Sequence, residues 1–200
     1  SRGLGDVYKR QGSSFVENTG TDADTVDMVQ AFKAKGFSLN QTVADMYEAL
    51  QPTFKSEVQS WGGTIEYNHI TAPSTTGVFS SKEPSQAALD GQNATWKDSM
   101  NDNNVMIVTI ARSASENGTY QPGTAGVDPT QNLNQTDPLG LSDDERDLIN
   151  AAVTAKAANG GKVIVLLNNA SAMEVQEIED NVGVDAILQV GLPGGYGFYG

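Results

Sequence analysis

Two kinds of apolar pattern alternate along the chain. Some stretches place apolar residues three and four apart, as one-sided helices do. Others are apolar at every position over five or six residues, as strands covered on both faces are. From Asp24 to Lys35 the residues Val26, Met28, Val29, Ala31, Phe32 and Ala34 predict a helix, with Asp22 or Asp24 as N-cap and Gly36 at the left-handed position after its end. Phe37–Leu39 reads as a short extended piece. Val43, Met46, Tyr47 and Leu50 predict a second helix over about Thr42 to Leu50, ended by Pro52. The pattern weakens over 53–104. There it predicts a short helix near Phe54–Trp61, irregular polar chain around Thr71–Lys82 and a helix near Ser85–Met100.

The second half is clearer. Val105–Ile110 is apolar on both faces and predicts a buried strand. A segment rich in Ser, Thr, Asn, Gln, Gly and Pro follows from Arg112 to Gly140, without periodicity. Ser142-Asp143-Asp144-Glu145 then spells a capping box with acids at the positive end of the helix dipole. Leu148, Ile149, Ala152 and Val153 form the stripe of that helix, and Asn159-Gly160-Gly161 stops it. Lys162–Leu167 predicts a second strand and Val184–Val190 a third, with a short helix between them. This order predicts an α/β fold with a mostly parallel sheet flanked by helices.

Composition narrows the function. At 200 residues with 38% apolar positions, the chain is long enough for one cored domain. Its net charge of −13 argues against a phosphate-backbone partner, so nucleic acid is not expected. No run is long and apolar enough to span a bilayer. Without cysteine, thiolate chemistry and Cys-based zinc sites are excluded, and the single histidine, His69, excludes a multi-His metal site within one chain. The opening Ser1–Gln11 lacks an initiator Met and resembles a read-assembly scar, so it is left out of the fold and expected to be disordered. Leu192–Gly200 stops inside what reads as a strand-to-helix turn. The expectation is a chain cut at both ends, with its compartment undetermined.

Chemistry is expected on the long polar loop, because ligands of open α/β sheets sit beyond the carboxyl ends of the strands. Arg112 and Glu116 are its first charged residues. Taken alone, Glu116 is one acid among 25 and reads as a solvated loop carboxylate. The ordered blocks Val108–Gly118, Leu141–Ile149, Lys162–Glu174, Val184–Leu188 and Gly191–Gly197 nevertheless resemble the α/β sandwich domain of family 3 glycoside hydrolases, the β-glucosidases in particular. The resemblance covers about residues 104–200, with a looser match over 24–50. It implies that 12–200 is part of that C-terminal domain, that 113–140 is an active-site loop, and that Glu116 is the general acid/base of a retaining β-glycosidase. A second carboxylate is needed as nucleophile, and the resemblance implies that it lies on a preceding barrel domain. The expected partners are therefore a β-linked glycoside and that barrel. No cofactor or metal is implied. Ser115 and Asn117 stand where the family has glycines flanking the glutamate, and an acidic residue common a few positions later is missing around Tyr120. Arg112, Asn117 and Tyr120 are weak candidates for touching the sugar, with an ion pair the preferred role for Arg112. Alternatives within the family are a β-xylosidase or a β-N-acetylglucosaminidase. Outside it, the alternative is a non-catalytic module binding a carbohydrate or partner.

Other features carry less. Gly195–Gly200 spells a dinucleotide-type G-x-G-x-x-G, but the required βαβ context and acidic partner are not visible in the sequence. Trp61 and Trp96 are expected in the core or at an interface before any sugar-stacking role. His69 is expected to be an ordinary surface or packing residue.

Overall fold

A computed structural model describes residues 28–50, 56–60, 63–67, 70–71, 80–81, 83–112, 139–169 and 172–190. In chain order the elements are α1 (Met28–Ala34), α2 (Gln41–Leu50), β1 (Ser56–Ser60), β2 (Gly63–Tyr67), β3 (Ile70–Thr71), β4 (Ser80–Ser81), α3 (Gln86–Gln92) and α4 (Trp96–Ser99). A 3-10 turn over Met100–Asp102 follows. Then come β5 (Val105–Arg112), α5 (Asp143–Asn159), β6 (Lys162–Asn169), α6 (Gln176–Glu179) and β7 (Ala186–Gln189).

The three apolar runs of the second half form one parallel sheet in the order β5-β6-β7. This is the α/β arrangement expected from the sequence. β5 and β6 pair in register over their full lengths, from Val105 opposite Lys162 to Arg112 opposite Asn169. Successive strand residues point to opposite faces, so each face has its own cover. Val108, Ile110, Val163, Val165 and Leu167 pack with Tyr47 and Leu50 of α2, Leu89 of α3, Trp96 of α4, Leu148, Ile149 and Ala152 of α5, and Ile178 of α6. On the other face Leu166 packs with Met28 of α1, flanked by Phe32, Ile107 and Val190.

The caps follow the sequence closely. The Ser142 hydroxyl accepts from the Glu145 amide at 3.2 Å, and the Ser142 amide donates to Glu145 Oε2 at 2.9 Å, so both arms of the capping box are made. Gly160 ends α5 at φ 73° and Gly36 follows α1 at φ 86°, both in the left-handed region that a side chain disfavours. Trp96 is fully buried, with its indole N–H donating to Asp90 Oδ1 at 2.9 Å, which places it in the core.

Four expectations need correction. Instead of a helix near Phe54–Trp61, β1 pairs antiparallel with β2 from Ser56 opposite Tyr67 to Ser60 opposite Gly63. Only two residues join these strands, the spacing of a tight hairpin, and Val58 lies opposite Ile65. The stretch Thr71–Lys82 is not wholly irregular, since Ile70–Thr71 pairs with Ser80–Ser81. The helix expected over Ser85–Met100 is two helices. At the break Asn93 Oδ1 accepts from both the amide and the hydroxyl of Thr95 at 2.9 Å, a local side-chain turn that competes with helical hydrogen bonding. The third strand is also shorter than expected, at Ala186–Gln189.

Candidate functional site

The length of α5 places its start relative to the sheet. Seventeen helical residues span about 25 Å at ~1.5 Å each, close to the ~26 Å of an eight-residue strand. Gly160-Gly161 turns α5 directly into β6, and the Lys162 amide donates to the Asn104 carbonyl at 2.9 Å, fixing the strand starts side by side. The N-terminus of α5 therefore returns to the carboxyl edge of the sheet, where Arg112 ends β5 and Asn169 ends β6.

Hydrogen bonds hold that edge together. The Glu174 amide donates to the Leu139 carbonyl at 3.0 Å, drawing the chain after β6 onto the approach to α5. Arg146 on α5 donates through Nη1 to Asp143 at 2.6 Å and through Nε and Nη2 to the Glu177 carboxylate. Its pKa is raised, first by the Glu177 hydrogen bonds and then by Asp143. Arg146 thus fastens α6 to the start of α5 with the paired donors that suit a carboxylate. Between them Gly140, Leu141, Glu174, Glu177, Asp180 and Asn181 line an open groove rich in acids. Further along the edge, Asn169 Oδ1 accepts from Gln189 Nε2 at 3.1 Å and ties β6 to β7.

A second acid was not legible from sequence. Glu83, three residues before α3, accepts a hydrogen bond from the buried Tyr47 hydroxyl of α2. Its carboxyl is pushed up from 4.5 to about 8, chiefly by burial and further by the charges of Glu145 and Asp144 at the start of α5, against the lowering effect of the Tyr47 bond. Burial and then Glu83 itself raise the Tyr47 phenol well above its ordinary value. Tyr47 and Glu83 are 36 residues apart, with no motif joining them, so only the folded chain brings them together.

Of the residues singled out in the sequence, Arg112 is the last of β5, its backbone opposite Asn169. Glu116, Asn117 and Tyr120 lie outside the described residues, as do Trp61, His69 and Gly195–Gly200. Asp143-Asp144-Glu145 is the helix start that its spelling indicates. Among the described residues no three His, Cys, Asp or Glu side chains come together as a metal site, and no helix there is long and apolar enough to cross a membrane.

Three solved structures of β-glucosidase 3B from Thermotoga neapolitana are similar to this chain. The complex with glucose superposes at a TM-score of 0.56 and 22% identity, over 96% of this chain and 23% of that one. The glycerol complex gives 0.54 and 21% over the same shares. The α-D-glucose complex gives 0.51 and 22% over 86% and 20%. This chain has the fold of part of that enzyme. It spans less than a quarter of the enzyme's length. No family model and no curated protein sequence matches the chain. The likeness to β-glucosidase 3B bears out the α/β fold expected from the ordered blocks of residues 104–200, and it reaches well beyond them into the N-terminal half.

Proposed function

We propose that this chain is part of a family 3 glycoside hydrolase, with residues 12–200 contributing to its α/β domain, and that it serves the retaining hydrolysis of β-linked glycosides. The observation that carries this reading is the shared fold with β-glucosidase 3B along 96% of the chain, joined to the ordered sequence blocks that pointed to the same family. Glu116 follows Arg112 by four positions, and Arg112 closes β5 at the carboxyl edge where ligands of such sheets sit. In the proposed reaction Glu116 protonates the leaving glycosidic oxygen. A nucleophilic carboxylate attacks the anomeric carbon, and Glu116 then takes a proton from the water that releases the sugar. That nucleophile belongs to a barrel domain in the same polypeptide, so the 200-residue segment alone is expected to be inactive.

Leaving-group dependence tests the role of Glu116. In the segment joined to its barrel, Glu116→Ala should slow aryl β-glucosides with poor leaving groups by roughly 10²–10⁴-fold. Substrates with good leaving groups should form the glycosyl-enzyme almost as fast as before, because they need little protonation. Equal losses on both would remove Glu116 from the general-acid role. A panel of aryl glucosides, xylosides and N-acetylglucosaminides, run alongside, assigns the sugar.

A further inference from the structure

Asn159 ends α5 and Gly160 caps it, so an exposed Asn-Gly pair stands where the helix turns into β6. This pair carries a reaction of its own. The side-chain amide carbon of asparagine is an electrophile, and the backbone nitrogen of the next residue can attack it. A glycine in that place has no Cβ to obstruct the approach. The bond from the Gly160 nitrogen to Asn159 Cγ closes a succinimide ring. The side-chain nitrogen leaves as ammonia and takes the proton of the Gly160 amide. Water then opens the ring at either carbonyl, leaving aspartate or isoaspartate. Water is the only co-reactant, and nothing is oxidised or reduced.

The fold restrains both reacting groups. The Gly160 N–H donates to the Lys156 carbonyl at 2.8 Å, which keeps the proton on the attacking nitrogen. Asn159 Nδ2 donates to the carbonyls of Asn101 and Asn103, each at 2.7 Å, and to that of Met100 at 3.4 Å. Its Oδ1 accepts from the Gly161 amide at 2.7 Å. Turning Cγ toward the Gly160 nitrogen gives up these bonds together. The same amide ties the end of α5 to the 3-10 turn and to the residues leading into β5. An oxygen in place of Nδ2 would face those carbonyls without a proton to donate. Its charge would also sit at the negative end of the α5 dipole. We infer that Asn159 is a self-modification site whose rate is set by local opening of the α5–β6 turn, and that its conversion unfastens α5 from the turn before β5.

Ageing the chain at constant pH and mapping its peptides by mass spectrometry tests this. The map separates residue 159 from Asn117-Gly118, the other Asn-Gly pair in the sequence. Aspartate and isoaspartate should accumulate at 159 in the native chain, roughly tenfold or more slowly than in the chain unfolded by guanidinium. Urea below the unfolding transition should raise the native rate step by step. A Cβ at position 161 would lie 2.8 Å from Asn159 Oδ1 and 2.9 Å from the Asn103 carbonyl. Gly161→Ala should therefore displace the amide from its partners and speed the conversion several-fold. Asn159→Gln should stop it, because the longer side chain closes a larger ring slowly. Asn159→Asp, made directly, should lower Tm by several degrees. Equal rates in the native and unfolded chains overturn the inference. So does an absence of conversion at every urea concentration below the transition, or an Asn159→Asp variant that melts with the parent. If Gly161→Ala does not fold, the urea series on the parent carries the same test.

Discussion

A hydroxyl sealed inside a sheet without a partner loses its bonds to water and gains nothing in return. Thr109 Oγ1 is in that position, on a residue 7% exposed and flanked by apolar neighbours. Valine has the same branched shape and the same preference for strands. Thr109→Val is therefore expected to raise stability by about 1 kcal/mol, at the low end of the cost of an unsatisfied buried polar group. Chemical denaturation of the folded segment reads the change directly. A loss of stability would mean that the hydroxyl has a partner in solution. Other buried polar side chains at this edge, such as Glu145 and Asn169, have their partners in place, so the unpaired groups stand out against a satisfied background.

At the scale of elements, the contact between α5 and the turn into β7 is the least forgiving. A Cβ added at Gly183 would lie 2.2 Å from Val153 Cγ1 and 3.0 Å from Val153 Cβ. Valine cannot swing both methyls away, because its χ1 is held in one rotamer on a helix. Gly183→Ala should cost about 1–3 kcal/mol through overpacking, with thermal unfolding as the measurement, and Val153→Ala in the same chain should restore most of it. Sequence pattern could not reveal this contact, since the spacing of 153 and 183 has no local signature. What was legible was local: the capping box at Ser142, the glycine stop at 160 and three apolar runs long enough to need cover on both faces. The misreadings have equally local causes. Ser56–Ser60 is too polar to display strand alternation and is defined by its partner Gly63–Tyr67, while the Asn93–Thr95 turn splits an otherwise helical stretch. Of the candidate site, the sheet edge and its Arg112 were legible. The Tyr47–Glu83 and Arg146–Glu177 pairs were not, because each joins residues far apart in sequence.

At the scale of the whole molecule, stability should fall as pH rises through neutrality, and Glu83 is the reason. Burial, with Glu145 and Asp144 of α5 nearby, favours its protonated form and moves its pKa from 4.5 to about 8, although the Tyr47 hydroxyl of α2 opposes the shift. The folded state thus keeps a proton that the unfolded chain has released. The associated stability is complete below about 4.5 and is lost as pH rises through about 8. The chain has one histidine and no cysteine, so few side chains titrate in this window. Asp185 acts elsewhere: hydrogen bonds from Lys156, the Val163 amide and Lys162 lower its pKa, so its contribution is lost only in acid. Glu83→Gln keeps an acceptor for Tyr47 but cannot ionise. Urea midpoints measured from pH 5 to pH 9 should decline for the parent and stay nearly level for the variant. Parallel curves would show that Glu83 ionises normally and that its bond to Tyr47 does not depend on its proton. With the decline confirmed, the same carboxyl becomes the group that ties the stability of the helical layer over the sheet to pH.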